Sequence, residues 1–459
     1  MHKVTVNGKI LLAEDSALLS EILMKSGGRV SHPCGGKGIC KKCLVTVDGK
    51  PELSCQYTVH SDITVTFCDE EDIISETGAV ETAGKSANLC LALDIGTTTL
   101  ALALVSRDTK SIAKVTTKTN PQRVYGADVI SRIEYCRKNG IHELHRSLID
   151  VVNYMIAELD AEMLDIFVSG NTTMLHTFLG VDCSSIGVAP YEPAFLDSKT
   201  VSGASVGLNT ASVTTLPSIH SFTGADIVAG MGFIGMPTKG KYNLLVDLGT
   251  NAEIVLFDEK SALCTSAAAG PCFEGANISC GMSATTGAIY SYRNSVSQTV
   301  GNIPAKGICG TGLIDIIAEL LRNGTIDETG YMEDESFEVA DGVEITQADI
   351  RQYQLAKSAV YSAIITLIKQ KNIAFDDVEK MYISGGFSAK INIENAVRTG
   401  LLPRELKERC VAVNNSSLLG TVRLVCEGND LDVYTKNATY ADLSASTDFS
   451  ELFVENMMF

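Results

Sequence analysis

A chain of 459 residues, at about 150 residues per domain, has the length of about three domains, which excludes a single small module. Lys and Arg number 37 against 55 Asp and Glu, so the net charge of −18 argues against nucleic acid as a partner. The 45% hydrophobic content is that of an ordinary globular protein, and its richest apolar runs, residues 91–105 and 244–257, are cut by Asp, Gly, Thr, Asn or Glu, so no membrane span of ~18 residues is expected.

The N-terminus alternates apolar and polar residues from Met1 to Gly8 instead of building an apolar signal core, so the chain reads as cytoplasmic. Strands are expected over residues 3–12, 44–47 and 63–67 and an amphipathic helix over 16–25, which makes residues 1–68 a small β-grasp unit. Cys34, Cys40, Cys43 and Cys55 crowd into it with the pattern C-x5-C-x2-C-x11-C, set on a glycine-rich turn whose bare N–H groups can approach sulfur. That spacing is close to the thiolate set of a plant-type 2Fe-2S centre, although the first interval is usually four residues. A four-cysteine zinc site is the alternative, but zinc knuckles come in C-x2-C pairs and only Cys40 and Cys43 form one. Lys37, Lys41 and Lys42 beside the thiols would raise a cluster's potential or meet an acidic partner, or form only a solvated face. The other ten cysteines are scattered in apolar surroundings as small hydrophobes.

Residues 69–87 are acidic, small and polar, as a solvated linker should be. Beyond them strands alternate with long helical stretches at 141–163, 312–323 and 349–371, the pattern of an α/β body. Within it Leu91-Ala-Leu-Asp94-Ile-Gly96-Thr97-Thr98-Thr99 is echoed, about one domain length later, by Leu244-Leu-Val-Asp247-Leu-Gly249-Thr250-Asn251. Two similar subdomains, 88–240 and 241–459, facing each other across a cleft are expected. In each copy an apolar strand delivers an acid to a tight Gly turn, after which hydroxyl or amide side chains and bare N–H groups can face phosphate, with Asp94 and Asp247 managing Mg2+. A hairpin ending in Asp and Gly is common in any protein, so the weight lies in the two copies. Met381-Tyr-Ile-Ser384-Gly385-Gly386-Phe387-Ser388 ends an apolar strand in a double glycine, fit for close approach of a nucleoside or phosphate, or for an ordinary strand-to-helix turn. Gly310-Thr311-Gly312 at a helix start is a fourth candidate. The histidines form no recognisable triad or metal-ligand spacing such as His-x3-His, and His176 reads as a packing residue.

These motifs, in this order, resemble the phosphate-1, phosphate-2 and adenosine motifs of the acetate and sugar kinase, Hsp70 and actin superfamily. With the cysteine-bearing head in front, the whole chain resembles the reductive activators of corrinoid proteins. Val168-Ser-Gly-Asn171-Thr172-Thr173-Met174, Phe222-Thr-Gly224-Ala-Asp226 and Ala269-Gly-Pro-Cys-Phe-Glu274-Gly-Ala-Asn277-Ile-Ser-Cys-Gly281 carry the resemblance further. It implies a ribonuclease H-like duplicated body behind a ferredoxin-like head, a 2Fe-2S cluster on Cys34, Cys40, Cys43 and Cys55, Mg2+ and ATP in the cleft, and Asp226 and Glu274 aiding the attacking water or the metal. The implied activity is ATP-dependent, one-electron reduction of a corrinoid protein from inactive Co(II) to Co(I), fed by an upstream low-potential donor; a homodimer is compatible with it. Plant-type clusters lie at about −400 mV and the resemblance implies a lower cobalt couple, so an uphill gap of ~100 mV would need ATP. Other readings are an ATP-driven donor to a different acceptor, a redox-sensing small-molecule kinase and a non-enzymatic conformational switch. The linker leaves little room for the additional middle domain of longer relatives, and Cys410 and Cys426 alone near the C-terminus predict a single cluster.

Overall fold

The computed structural model describes residues 1–25, 38, 43–67, 88–386, 388–428 and 430–459. The head carries β1 (His2–Val6), β2 (Lys9–Ala13), α1 (Leu19–Lys25), β3 (Leu44–Val47), β4 (Lys50–Leu53) and β5 (Ile63–Thr66). They form one sheet in the order β2-β1-β5-β3-β4, with β1 and β5 parallel and the other pairs antiparallel. The stretch 3–12 is two strands, because Asn7 and Gly8 both take positive φ (45° and 89°), the pair of values a two-residue hairpin turn demands. Val4, Val6, Leu23, Val45, Val47 and Val65 close the head's own core.

The body has two sheets of one design. In the first, β6 (Leu89–Ile95), β7 (Thr99–Ser106) and β8 (Ser111–Thr119) form an antiparallel meander. After α2 (Val129–Asn139) and α3 (His142–Glu158), β9 (Ile166–Gly170) joins β6 in parallel; α4 (Thr172–Leu179), β10 (Thr200–Ser202), β11 (Ser212–Thr215) and α5 (Ala225–Ile234) follow, giving the order β8-β7-β6-β9-β11-β10. In the second, β12 (Tyr242–Leu248), β13 (Ala252–Phe257) and β14 (Ala262–Ala267) repeat the meander. An insertion carries β15 (Ala288–Arg293), β16 (Val296–Thr299), β17 (Gly307–Ile308), α6 (Gly310–Asn323) and α7 (Gln347–Lys371). Then come β18 (Val378–Ser384), α8 (Ile393–Arg398), β19 (Cys410–Ala412), α9 (Ser416–Glu427) and β20 (Ala438–Tyr440), and the sheet reads β19-β18-β12-β13-β14-β20. β18 lies parallel to β12 as β9 does to β6. The strands β6, β7 and β12 are buried on both faces, which is why they read as continuous apolar runs instead of alternating ones.

The halves are interlocked by two helices. α5 packs its apolar residues, Ile227 and Met231 among them, into a core that includes Leu245, Val255 and Phe257 of the second sheet. α9 does the reverse, placing Leu418 and Val422 against Cys90, Ala92 and Ala101 of the first. They cross closely enough that a Cβ on Gly420 would meet the Ala229 carbonyl oxygen. Each helix thus draws part of its burial energy, ~1.5–3 kcal/mol per large aliphatic side chain, from the neighbouring half of the body.

Candidate nucleotide cleft and cysteine centre

β6 and β12 end alike. Asp94 stands opposite Ala101 and beside Ser169, and Asp247 opposite Glu253 and beside Ser384. Each acid leads into a tight turn, closed by the Gly96 N–H donating to the Thr99 carbonyl at 3.0 Å and by the Gly249 N–H donating to the Asn251 carbonyl at 3.0 Å. The parallel neighbours β9 and β18 both end in Ser-Gly, with φ of 152° at Gly170 and 119° at Gly385. A Cβ there would stand 2.8 Å from the Ile95 carbonyl oxygen and 2.1 Å from that of Leu248, so only glycine lets the second strand pass over the end of the first. Ser169-Gly170-Asn171 is therefore the first half's counterpart of Ser384-Gly385-Gly386, an equivalence that sequence reading left unpaired although a Ser-Gly after an apolar strand marks both.

The two turns meet through Glu274. Its Oε1 accepts from the Thr98 hydroxyl at 3.0 Å and its Oε2 from the Thr250 hydroxyl at 2.5 Å. The sequence-predicted Asp94, Thr97, Thr98, Asp226, Asp247, Thr250, Glu274 and Ser384 thus come together at the seam between the halves. Residues not singled out as site residues line it too. Asn415 Nδ2 and the Ser417 hydroxyl donate to the two oxygens of Asp94, both at 2.7 Å. Between them Ser416 exchanges a 2.7 Å hydrogen bond with Ser384, so three consecutive residues at the start of α9 touch both halves. Their signal in sequence is Asn-Ser-Ser before a helix, with Asn415 accepting from the Leu418 N–H as N-cap. Asn171 Nδ2 donates to the Thr97 hydroxyl at 3.1 Å while its Oδ1 caps α4.

The acids are crowded. Burial pushes Asp226 up to about 7, with the charges of Asp247 and Asp94 adding to it. Burial likewise pushes Asp247 up to about 6, opposed by the Ser384 hydroxyl. Glu253 lies well above the usual carboxylate range for the same reason, facing Asp226 and Asp247. Asp94 is raised by burial, opposed by its hydrogen bonds from Ser417 and Asn415. Among the described residues no three Asp, Glu, His or Cys side chains converge as a ready-made ion cage. Crowded acids of this kind beside glycine turns fit Mg2+ as it is held on a nucleotide, by one or two carboxylates plus phosphate oxygens.

Gly310 and Gly312 open α6 against backbone, since a Cβ on either would press on the Phe273 or Ile289 carbonyl oxygen, and Thr311 is buried with its hydroxyl 3.5 Å from Cys309 Sγ. That packing seats α6 on the turn that carries Glu274. Phe387 lies outside the described residues. A cavity of about 490 Å³ lies in the second half, where Ser291, Asp315, Arg322, Asn395 and Arg398 are among its lining and none of the predicted site residues is. His176 is a packing residue, stacked at 4.2 Å on Phe195, with Nδ1 2.7 Å from the Thr172 carbonyl oxygen and Nε2 accepting from the Ala194 N–H.

In the head, Cys34, Lys37, Cys40, Lys41 and Lys42 lie outside the described residues. Cys43 and Cys55 are both buried, with sulfurs 3.2 Å apart, well beyond the ~2.05 Å of a disulfide and converging as two ligands of one centre would. Burial pushes the Cys43 thiol up to about 11.

The fold and cleft define the class: a duplicated two-lobed ATPase fold of the actin and sugar-kinase type behind a small cysteine-bearing head. Residues 241–459 match the family model described as the C-terminal domain of RACo, the ASKHA domain, and residues 89–239 match the RACo middle region. The family's middle region therefore coincides with the first half of the body. A corrinoid activation enzyme, RamQ, of Eubacterium limosum is 26% identical over 96% of both chains. A Methanosarcina barkeri protein described as [Co(II) methylated amine-specific corrinoid protein] reductase is 27% identical over 74% of this chain and 71% of its own. A solved structure, a reductive activator for a corrinoid, iron-sulfur protein, covers 100% of this chain and 98% of its own with a TM-score of 0.73 at 25% identity. The chain belongs to the RACo family of reductive activators of corrinoid proteins.

Proposed function

We propose that the chain uses ATP, bound in the cleft, to drive reduction of a corrinoid protein from Co(II) to Co(I). Full-length similarity to a corrinoid activator supports the activity. The cleft observation that carries the ATP reading is the pairing of two acid-glycine turns through Glu274. In this reading residues 1–68 form the electron-carrying head, 69–87 the linker, and 88–240 and 241–459 the two lobes. Cys34, Cys40, Cys43 and Cys55 would hold a 2Fe-2S cluster, which when bound supplies one electron per turnover and is refilled by a low-potential donor of the cytoplasm. Gly96 to Thr99 and Gly249 to Asn251 would present N–H and hydroxyl groups to the phosphates, Asp94 and Asp247 would orient the Mg2+ shell, and Asp226 and Glu274 would position the attacking water. Ser384, Gly385, Gly386 and Phe387, with Gly310, Thr311 and Gly312, would border the nucleoside. Asn415, Ser416 and Ser417 then transmit cleft closure, because they touch Asp94 and Ser384 at once.

The test mixes anaerobic, reduced protein with a Co(II) corrinoid protein and follows the visible spectrum with and without Mg-ATP. ATP-dependent Co(I) that disappears in Cys55→Ser is expected. ATP turnover and an intact cluster spectrum without Co(I), across several corrinoid partners, would point to a different low-potential acceptor.

A further inference from the structure

The first turn has a cation behind it that the reading above does not use. Arg132, on α2, is 0% exposed. Its Nη2 donates to the Thr97 carbonyl at 2.6 Å and its Nε to the Gly126 carbonyl at 2.9 Å, while Nη1 reaches Met174 Sδ at 3.3 Å and Gln122 Oε1 at 3.5 Å. All these acceptors are uncharged, and among the described residues Arg132 forms no ion pair. The charges that face it are Asp128, the N-cap of its own helix, Arg123 from the preceding turn, and Glu274 from the second half. Asp128 is engaged with the Ser131 N–H, and Glu274 with Thr98 and Thr250. Burial lowers the guanidinium to about 9, because the charged form gives up its water there.

Peptide geometry says where that counter-charge belongs. Asn120 Nδ2 holds the Gly96 carbonyl at 2.7 Å, and Arg132 holds that of Thr97; both side chains also touch Met174 Sδ, so both carbonyls turn to the same side. In a trans peptide the N–H points opposite to the C=O, so the N–H groups of Thr97 and Thr98 are turned away from Arg132. Two adjacent N–H groups, with a buried cation directly behind them, make a concavity for an anion. We infer that Arg132 is a positioning residue for the nucleotide's phosphates: it locks the Gly96–Thr99 turn with its donors outward and lends that turn its charge, favouring the more highly charged nucleotide.

This inference rests on the ATP reading, which fails by itself if the wild-type chain binds neither Mg-ATP nor Mg-ADP in calorimetric titration. Given wild-type binding, Arg132→Gln is expected to weaken ATP at least ~10-fold and ADP at least ~3-fold less severely, and Arg132→Lys to recover more than half of the ATP loss on a logarithmic scale. A natively folded Arg132→Gln that binds ATP within about twofold of wild type, or that loses ATP and ADP equally, overturns it. Should Arg132→Gln fail to fold, Arg132→Lys decides through pH. A buried ammonium gives up its proton earlier than the guanidinium, so the variant's ATP affinity relative to wild type should fall from about pH 6.5 to 8.5, and a flat ratio overturns the inference.

Discussion

The two halves of the body share a backbone plan and differ in how their acids are held. In the first, Asp94 is clasped by Asn415 and Ser417, and its turn is braced by Asn120, Arg132 and Asn171. In the second, Asp247 stands opposite Glu253 across the hairpin and its charge bears on Asp226 of α5, while burial, opposed by the Ser384 hydroxyl and helped by the Asp94 charge, raises its own proton affinity. The duplicated scaffold places two acids symmetrically, and the side chains around them then divide the labour. One is held by two donors from the other lobe, the other by one hydroxyl at a spot crowded with further carboxylates.

The largest expected effect sits on the crowded side. Asp247→Asn should lower ATP-dependent Co(I) formation by ~100-fold or more, read from the visible spectrum, while the apo protein's melting temperature rises because a repelled buried charge is gone. Next comes the crossing glycine of each half: Gly385→Ala, with a Cβ 2.1 Å from the Leu248 oxygen, should cost ~3 kcal/mol or more in denaturant unfolding, and Gly170→Ala, at 2.8 Å, clearly less. Equal costs would mean that the two crossings are equally tight, against the difference between 2.1 and 2.8 Å. Asp94→Asn should move stability the opposite way to Asp247→Asn, losing about 1–3 kcal/mol as two donors from α9 lose a carboxylate acceptor.

The smallest effect is in pH. A carboxyl whose folded pKa is raised stabilises the fold when protonated, and that contribution is lost as pH climbs from its unfolded value, near 4, through its folded one. With Asp247 at about 6 and Asp226 at about 7, the apo melting temperature should fall by about 2–4 °C between pH 5 and 7.5 through these groups. Mg-ATP should stabilise more at pH 7.5 than at pH 5, where the acids hold protons. Asp226→Asn should flatten the apo profile.

Much of the architecture is legible in the residues because it is local. The helices expected at 312–323 and 349–371 appear as Gly310–Asn323 and Gln347–Lys371, and that at 141–163 as His142–Glu158. The repeated Asp-x-Gly-Thr runs mark the two turns, since a buried strand ending in an acid and a glycine writes its geometry into consecutive positions. The split of residues 3–12 is hidden in the sequence because alternation continues across the Asn7-Gly8 turn, where only the paired left-handed residues betray the hairpin.

Sequence by itself determined the two acid-glycine turns, the cysteine spacing of the head and the order of strands and helices around them. Only the tertiary structure decided who holds whom: that α5 and α9 each pack into the other half, that Asn415 to Ser417 clasp an acid more than 300 positions earlier in the chain, and that a neutral-looking loop has an arginine behind it. The physical reason is that propensity and periodicity act between near neighbours. A buried polar group is satisfied instead by whatever partner the fold brings within hydrogen-bond reach, and no local pattern records which partner that will be.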